Sequence, residues 1–296
     1  MSVSQQIHYS SPVNDEDASS QYRTFLMCPP DHFGVLYEIN PWMKRAVQPD
    51  QDLARKQWDS LVSNLQQAGA AVEFIQPVAS LPDMVFTADI GLVDRKRFIM
   101  SRFRYPQRQE EATRGAHWLQ SRNYEVLELS LAAEASLESS DIYPFRGCLL
   151  AGYGFRTSIS AHRALAHLSQ RKVVSIQFVD ARLYHLDLSF CPLDERRAII
   201  APCAWSRRSC ERLEKLVPEA LVLDLEEALT FCANSIIVGK TIIMPACPLR
   251  VAHILERWGF TICISPVSEF LKAGGAIHCL VLALHGSFSS LADSVQ

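Results

Sequence analysis

The sequence predicts an α/β protein of five repeated modules that close into a ring. Three observations support this prediction. Short apolar strands alternate with amphipathic helices, a polar residue begins a strand pair at intervals of 45 to 52 residues, and the last such unit lacks strands that the N-terminus can supply. A unit of one helix and about three strands that recurs at such a period indicates a repeat architecture rather than a doubly wound sheet.

The elements follow from hydrophobic periodicity and turn residues. Helices are predicted where apolar residues recur at helical spacing, as in Leu53, Trp58, Leu61 and Leu65. The predicted helices cover residues 50–69, 109–123, 160–171, 206–217 and 247–259. Strand-like runs bounded by turn residues cover 24–28, 72–78, 85–93, 97–103, 124–130, 147–155, 173–179, 186–193, 197–202, 220–225, 234–245 and 260–267.

Five polar residues, here called the marker residues, stand at the start of the successive predicted strand pairs: Asp89, Asp141, Asp187, Asn234 and Cys279. Their intervals are 52, 46, 47 and 45 residues by subtraction. After Cys279 only the apolar run CLVLAL remains, so the strand TFLMC at 24–28 is expected to complete the last module. A ring would bring all five marker residues to one central channel. The alternative is that Asp and Asn simply cap turns.

Composition excludes several classes of protein. Apolar residues make up 48% of the 296 residues and charged residues 21%, which is typical of a globular protein with a large core. The net charge of −3 argues against a nucleic-acid partner, and no apolar run is long enough for a membrane helix. Residues 1–22 are polar and are expected to be a disordered tail before a single catalytic domain at 23–296. Nine scattered cysteines without a CxxC pair predict a reducing, cytoplasmic setting.

The polar residues near the markers suggest nucleophilic chemistry on a cation. Cys279 follows the glycine pair at 274–275, and a thiol beside a histidine such as His185 is the minimum for cysteine catalysis. Several carboxylates exceed what a cysteine hydrolase needs, but they suit a planar guanidinium, which pairs bidentately with carboxylates. Taken singly, each residue also has a structural explanation, since free cysteines are often buried core residues.

Seven motifs occur in one order along the chain: MCPPDHFGVLYEINPWM (27–43), VFTAD (85–89), LESSD (137–141), AGYGFRTS (151–158), YHLDLSFCPL (184–193), FCANS (231–235) and GGAIHC (274–279). On these motifs the chain resembles the guanidino-group-modifying enzymes, the pentein or amidinotransferase superfamily. That superfamily includes arginine deiminases, dimethylarginine dimethylaminohydrolases and glycine amidinotransferases. The resemblance implies a five-bladed α/β propeller of ββαβ modules with the active site in its central channel. It implies no metal or cofactor, and it allows a homodimer.

The resemblance also implies roles for individual residues. Cys279 matches the nucleophile, His185 the general acid and base, and Glu138 the carboxylate that contacts the guanidinium and supports catalysis. The remaining matches are to substrate-binding residues: Asp89 and Asp187 on the guanidinium side, and Arg156 and Arg108 for the α-carboxylate. Asp141, from the same set of polar residues, is also expected to bind substrate. Phe33 is a candidate for a lid, and packing of its loop against the barrel is the alternative.

Two of the predicted catalytic residues, Glu138 and Cys279, have unusual neighbours in the sequence. Ser139-Ser140 stand where the family usually has glycine or alanine. His278 precedes the nucleophile, and neighbours on a strand point to opposite faces, so we expect its side chain to point away from Cys279.

The implied reaction is hydrolysis of the guanidinium of arginine or an Nω-methylated arginine, through a covalent thiouronium, to citrulline and ammonia or an alkylamine. Three alternatives stay open: transfer of the amidino group to an acceptor amine, dihydrolysis of arginine to ornithine, and a non-enzymatic binding protein. In the dihydrolase-like branch an asparagine stands where this chain has Asp89, which favours the first reaction. Retention of Cys279, His185, Asp89 and Asp187 together argues against a non-enzymatic protein.

Overall fold

Five three-stranded sheets surround one axis in the computed structural model, which describes residues 23–285. The fold is the predicted five-bladed α/β propeller. The sheet orders are β15-β1-β2, β3-β4-β5, β6-β7-β8, β9-β10-β11 and β12-β13-β14, with the strands defined below. The tail predicted for residues 1–22 lies outside the described residues.

The strands are β1 (Thr24–Met27), β2 (Ala71–Phe74), β3 (Gly91–Asp94), β4 (Arg97–Met100), β5 (Glu125–Leu127), β6 (Ile142–Phe145), β7 (Cys148–Tyr153), β8 (Lys172–Gln177), β9 (Phe190–Pro192), β10 (Arg197–Ile200), β11 (Glu219–Val222), β12 (Ile236–Val238), β13 (Thr241–Met244), β14 (Thr261–Ile264) and β15 (Leu282–Ala283). The helices are α1 (Gln51–Gln67), α2 (Gln109–Gln120), α3 (Ala161–Ser169), α4 (Arg207–Leu216), α5 (Leu225–Ala228), α6 (Leu249–Arg257) and α7 (Ser268–Leu271). Within residues 23–285, no helix has the length and apolar character needed to cross a membrane.

Each module is built as strand, strand, helix, strand. In the third sheet, for example, β6 pairs antiparallel with β7, and β7 then pairs parallel with β8 after the crossover through α3. A parallel neighbour requires such a crossover, whereas antiparallel neighbours need only a tight turn. The helices pack an apolar stripe against their sheets, as Trp58, Leu61 and Leu65 of α1 do.

The ring closes through the two ends of the described chain. β1 pairs antiparallel with β15, with Phe25 opposite Ala283 and Leu26 opposite Leu282, and it pairs parallel with β2 on its other side. The Leu284 N–H donates to the Thr24 carbonyl at 2.8 Å, which extends this contact. The prediction that the N-terminal strand completes the last module is therefore confirmed.

The strand predicted over 85–93 is wrong in its first half. Two 3₁₀ turns, Pro82–Val85 and Thr87–Ile90, precede β3, which begins only at Gly91. The same form recurs at Ser139–Asp141 before β6 and at Leu186–Leu188 before β9. Side chains in these turns make hydrogen bonds that compete with strand pairing. Thr87 Oγ1, for instance, donates to Leu26 O at 2.8 Å and is 3.1 Å from Leu280 O.

Replacing Leu26 by Ala should destabilise the protein through the strand that closes the ring. The Leu26 side chain is fully buried, and truncating such a leucine removes apolar contact and leaves a cavity, so we expect a loss of about 2–5 kcal/mol in the free energy of unfolding. Urea unfolding followed by circular dichroism measures the loss. The matched control is Leu249→Ala, whose side chain is 80% exposed and whose effect should stay within about 0.5 kcal/mol. Equal effects of the two substitutions would contradict this account of ring closure.

Candidate active site

The turns at the heads of the first strands bring the marker residues together at the propeller axis. The Cys279 Sγ donates to Asp187 Oδ2 at 3.2 Å and accepts from Asn234 Nδ2, also at 3.2 Å. Asp141 Oδ1 accepts the backbone N–H of Leu186 at 3.1 Å. Polar side chains from different modules therefore meet in one buried cluster, as the ring prediction required.

His185 and Glu138 join this cluster through a direct hydrogen bond. His185 Nε2 lies 2.9 Å from Glu138 Oε2, and His185 Nδ1 lies 3.8 Å from Asp89 Oδ1. The three side chains are buried, so these charges interact with little screening by water. The structure thus places the predicted acid–base histidine between two carboxylates.

The glycine pair before Cys279 allows close packing at the site. Gly274 has φ +82°, a value that favours glycine, and a Cβ there would lie 2.9 Å from Asn40 Oδ1. A Cβ on Gly275 would lie 2.3 Å from the ring of Phe86. The chain then forms a turn over residues 277–280, so Cys279 lies in that turn and not on a strand.

This turn makes the expectation for His278 wrong. Its side chain does not point away from the nucleophile's surroundings, because His278 Nδ1 lies 3.0 Å from Asp187 Oδ2, the same oxygen that the Cys279 thiol contacts. Alternation of side chains holds only on an extended strand. In the turn, the two neighbouring residues reach one carboxylate.

A narrow cavity opens onto the thiol. Of the predicted residues, its wall contains Asp89, Arg108, Arg156 and Cys279. The rest of the wall is formed by Ile39, Asn40, Met43, Asp83, Phe86, Tyr184, Ala273 and Gly275. Phe33 is not part of this wall. Its ring packs in the core, 5.0 Å from the centre of the Phe270 ring, and the same loop reaches the cavity through other residues.

Three polar wall residues were not predicted from the sequence. Asn40 Nδ2 donates to Ala273 O at 2.9 Å, Tyr184 Oη donates to Gly274 O at 2.9 Å, and Asp83 lies beside Arg108. Asn40 and Tyr184 stand inside the quoted motifs INPW and YHLD, which was the available signal. Asp83 follows a proline in LPDM and there resembles an ordinary turn residue.

Both predicted arginines are buried and bound to protein carboxylates. Arg108 Nη1 donates to Asp89 Oδ2 at 2.6 Å, and Arg108 Nη2 donates to Glu111 Oε2 at 2.7 Å. Arg156 Nη1 donates to Glu138 Oε2 at 2.9 Å, and its guanidinium lies 4.6 Å from the centre of the Tyr184 ring. Each arginine thus holds one of the acidic residues of the site.

The pKa values of the acid–base pair move in opposite directions. Burial opposes the charge of Glu138, but Arg156 and the hydrogen bond with His185 hold the pKa of that carboxyl well below its usual range. Burial would also lower the pKa of His185, yet Asp89, Asp141 and Glu138 together raise it to about 9. At neutral pH the pair is therefore an imidazolium bound to a carboxylate.

The Cys279 thiol, in contrast with His185, is held in its uncharged form. Burial, followed by the charges of Asp187 and Asp89, raises the pKa of the Cys279 thiol well above its ordinary value, so the thiol is protonated near neutral pH. Burial also raises the pKa of Asp141 to about 7 and that of Glu111 to about 8. Acidic groups outnumber cations here, which suits a positively charged ligand. Within residues 23–285, no group of three or more His, Cys, Asp or Glu side chains is arranged to hold a metal ion.

The serine pair that departs from the family pattern fits the site without strain. Neither Ser139 nor Ser140 has a positive φ, so no glycine is required there. Ser140 Oγ donates to Asp89 Oδ1, and Ser139 Oγ donates to Ala88 O. The serines therefore tie the turn beside Glu138 to the turn that carries Asp89.

Comparison with known proteins gives relatives of this architecture. The chain is 35% identical over 263 residues to the N(G),N(G)-dimethylarginine dimethylaminohydrolase of Mycobacterium tuberculosis. The alignment covers 89% of this chain and 86% of that protein. It is also 35% identical to the bifunctional arginine dihydrolase/ornithine cyclodeaminase ArgZ of Synechocystis, but it spans only 37% of that protein's length. The crystal structure of the N-terminal domain of ArgZ bound to product superimposes with a TM-score of 0.86 at 34% identity, covering 91% of this chain and all of that one.

The family profile described as "N,N dimethylarginine dimethylhydrolase, eukaryotic" matches residues 37–286, which is most of the chain. The marker cluster and the thiol-lined cavity both lie within the matched range. The fold, the profile and the relatives agree with one another. The chain therefore belongs to the dimethylarginine dimethylaminohydrolase family, within the guanidino-group-modifying pentein superfamily.

Proposed function

We propose that the protein hydrolyses the guanidinium group of an Nω-methylated arginine or of arginine, giving citrulline and an alkylamine or ammonia. The observation that carries this proposal is the arrangement of Cys279, whose thiol contacts Asp187, beside the buried pair of His185 and Glu138. A thiol and an imidazolium held apart by separate carboxylates supply a nucleophile and an acid for a cationic substrate. The name of the Mycobacterium tuberculosis relative supports the same reaction.

The cavity offers complementary groups to both ends of such a substrate. Asp89 lies in the cavity wall, and Asp187 lies outside it but contacts the Cys279 thiol; both are buried carboxylates that could receive the guanidinium, which pairs with carboxylates in a planar, bidentate fashion. Arg156 and Arg108, which also contact Glu138 and Asp89, lie in the same wall and are the predicted partners of the α-carboxylate. Apolar wall residues such as Met43 and Phe86 suit the hydrocarbon part of the substrate. Positioning of this kind lowers the entropic part of the barrier.

Entry of the guanidinium would ionise the thiol. Burial and the charges of Asp187 and Asp89 raise the pKa of Cys279. A cation bound between those carboxylates compensates their charge and favours the thiolate, because an opposite charge within about 4–6 Å stabilises the ionised form. The nucleophile therefore becomes reactive when the correct substrate is present.

The first half of the reaction joins sulfur to carbon. The Cys279 thiolate attacks the guanidinium carbon, and the protonated His185 gives its proton to the amine that departs. Collapse of the tetrahedral intermediate breaks the C–N bond and leaves an S-alkylthiouronium on Cys279. Glu138 holds the imidazole in place through this transfer, since it accepts a hydrogen bond from His185 Nε2 with an N···O distance of 2.9 Å.

The second half consumes one water. The neutral His185 takes a proton from water as its oxygen attacks the thiouronium carbon. The C–S bond then breaks, the second proton of that water passes to the departing sulfur, and citrulline leaves with the Cys279 thiol and the imidazolium restored. Water enters as the only co-reactant, and no electrons are exchanged.

Arginine dihydrolysis to ornithine is the second candidate. The observation that favours it is the close superposition on the N-terminal domain of ArgZ, which is described as an arginine dihydrolase from the ornithine–ammonia cycle. Asp89 weighs against it, because the dihydrolase-like branch has asparagine there. An amidinotransferase would share the first half of the reaction and differ only in the group that attacks the thiouronium.

Two sequence-based expectations about the protein's setting stay predictions. The cysteine usage predicts a reducing, cytoplasmic compartment, and the family resemblance allows a homodimer. Light scattering coupled to size-exclusion chromatography tests the second of these. The proposed reaction depends on neither.

Product analysis tests the proposed function directly. The purified protein is incubated separately with asymmetric dimethylarginine and with arginine, and each substrate is also supplied with glycine as an acceptor amine. We expect citrulline with dimethylamine or ammonia, identified by mass spectrometry, because water completes the reaction. Ornithine as the main product of arginine would establish the second candidate, and guanidinoacetate would establish amidino transfer. No product from any mixture would overturn the proposal.

Replacing Cys279 by Ser should reduce citrulline formation by at least about a thousandfold, because the hydroxyl is a far weaker nucleophile at this site. The covalent adduct seen by mass spectrometry after rapid acid quenching of the wild-type reaction should also disappear. The control is Cys203→Ser, an exposed cysteine that lies outside the cavity wall and should leave turnover unchanged. A Cys279→Ser variant that retains turnover would refute the assigned nucleophile.

Replacing Glu138 by Gln should move the alkaline limb of kcat to lower pH. The carboxylate stabilises the protonated form of His185, whose pKa is about 9, so its loss should lower that pKa by about one unit. Because the first step requires the imidazolium, kcat should then decline at lower pH than in the wild type. Loss of the hydrogen bond that orients the His185 imidazole should in addition reduce kcat about a hundredfold near neutrality. Turnover at saturating substrate across the pH range measures both effects.

The control for Glu138→Gln is Glu110→Gln, which changes an exposed carboxylate paired with Arg114 on α2. Its pH profile should match that of the wild type. An alkaline limb that stays in place in Glu138→Gln would show that His185 is not the acid of the first step.

A further inference from the structure

The carboxylate of Asp89 is held at both of its oxygens by side chains from other parts of the chain. Arg108 Nη1 donates to Asp89 Oδ2 at 2.6 Å, and Ser140 Oγ donates to Asp89 Oδ1. His185 Nδ1 lies 3.8 Å from Oδ1, which is beyond hydrogen-bond distance. An ionised carboxylate can accept about four hydrogen bonds, two at each oxygen. The two donors therefore take one acceptor position on each oxygen, and a guanidinium can pair with the second position on each.

Ser140 reaches this carboxylate from outside the cavity. Asp89 belongs to the wall of the cavity that contains Cys279, whereas Ser140 does not. Ser140 is also buried, with only 1% of its surface exposed. Its hydroxyl therefore lies on the protein side of the carboxylate and would not touch a ligand in the cavity. Any effect of this hydroxyl on ligand binding must pass through Asp89.

The turn that carries Ser140 is fixed on both sides by hydrogen bonds that do not involve the Asp89 carboxylate. Before Ser140, the Ser139 hydroxyl donates to the backbone carbonyl of Ala88. After it, Asp141 Oδ1 accepts the backbone N–H of Leu186 at 3.1 Å. The Ser140 hydroxyl is thus a donor in a preorganised position, and such a donor needs no rearrangement when a ligand binds.

A second donor matters because of the way an aspartate side chain rotates. The torsion about its Cβ–Cγ bond is broad, so a carboxylate held at one oxygen can still change the direction of its plane. Bidentate pairing with a guanidinium requires the two planar groups to align. A donor at the other oxygen fixes the plane in advance, and a ligand that binds to it loses less free energy in ordering the site.

We propose that Ser140 is a positioning residue that fixes the plane of the Asp89 carboxylate and thereby increases the preference of the site for a guanidinium over an uncharged group of the same shape. The proposal rests on the proposed function, which assigns Asp89 to the guanidinium of the substrate. Glycine or alanine, the usual residues at this position in the family pattern, has no hydroxyl and cannot supply this donor. The role therefore depends on a departure of this chain from that pattern.

Ligand binding without turnover tests the proposal. The full-length Cys279→Ser variant is the reference protein, and isothermal titration calorimetry measures the dissociation constants of L-arginine and L-citrulline. These two ligands differ only in the end group, which is a guanidinium in arginine and an uncharged ureido group in citrulline. Adding Ser140→Ala should raise the dissociation constant of arginine about tenfold, because a buried hydrogen bond to a charged group is lost. The constant of citrulline should rise by no more than about twofold, because neutral donors pair less strongly with a carboxylate.

Two further variants separate positioning of Asp89 from a general loosening of the turn. Ser139→Ala is the matched control, because Ser139 is a buried serine in the same turn whose hydroxyl donates to a backbone carbonyl and not to Asp89. It should leave the ratio of the two dissociation constants within about twofold of the reference, even if both constants rise. In an Asp89→Ala background, adding Ser140→Ala should change neither constant by more than about twofold, because the carboxylate that transmits the effect is absent. Thermal unfolding followed by circular dichroism shows that each variant is folded.

A ratio of dissociation constants that is the same in Ser140→Ala and in the reference would overturn the proposal. An equal change of the ratio in Ser139→Ala, or no binding of arginine to the reference protein, would overturn it as well. These outcomes are distinct from failure of the proposed function, which is measured by turnover of the wild type. Citrulline formation together with an unchanged ratio would leave the proposed function in place and remove the role of Ser140. Absence of product together with a ratio that depends on Ser140 would do the reverse.

Discussion

The burial of several ionised carboxylates at the propeller axis is the constraint on which the rest of the site depends. Asp89, Glu138 and Asp187 are all removed from water, and an ionised carboxylate is costly to bury unless it is paired or hydrogen-bonded. The fold meets this cost with donors from neighbouring modules: Arg108 and Ser140 for Asp89, and Arg156 for Glu138. Within residues 23–285 no arginine pairs with the Asp187 side chain, which instead contacts the Cys279 thiol and His278.

The same buried charge has opposite effects on the two reactive groups. It stabilises a cation and destabilises an anion, so His185 is held protonated while Cys279 is held as a neutral thiol. With Cys279 in its neutral form the site has only a weak nucleophile, because the thiolate is the reactive species. A guanidinium bound beside Asp187 adds positive charge next to the Cys279 thiol. The electrostatics that bind this class of substrate therefore also activate the residue that attacks it.

The repeat could be predicted from the sequence because it depends on residue spacing. The regular intervals between marker residues and the missing strands after Cys279 were sufficient to predict the ring and its closure by β1. The pairings at the site could not be predicted in this way, since Asp187 and Cys279 are 92 residues apart and only the folded ring shows which oxygen they share. The alternation of side chains along a strand also gave the wrong direction for the His278 side chain, because a turn replaces the expected strand. Phe33 was assigned from its loop, but only the packed core shows which loop residues face the cavity.

The strand pairing that closes the ring also fixes the position of Cys279 in the site. The nucleophile stands at the head of β15, a strand of two residues that is completed only by β1 from the other end of the described chain. Thr87, two residues before Asp89, hydrogen-bonds to Leu26 of β1 and approaches the carbonyl of Leu280, next to Cys279. The first and last modules are thereby fixed to the turn that carries a substrate carboxylate. Because a two-residue pairing contributes little stability by itself, the position of Cys279 relative to Asp187 and His185 is maintained by the packing of the whole ring.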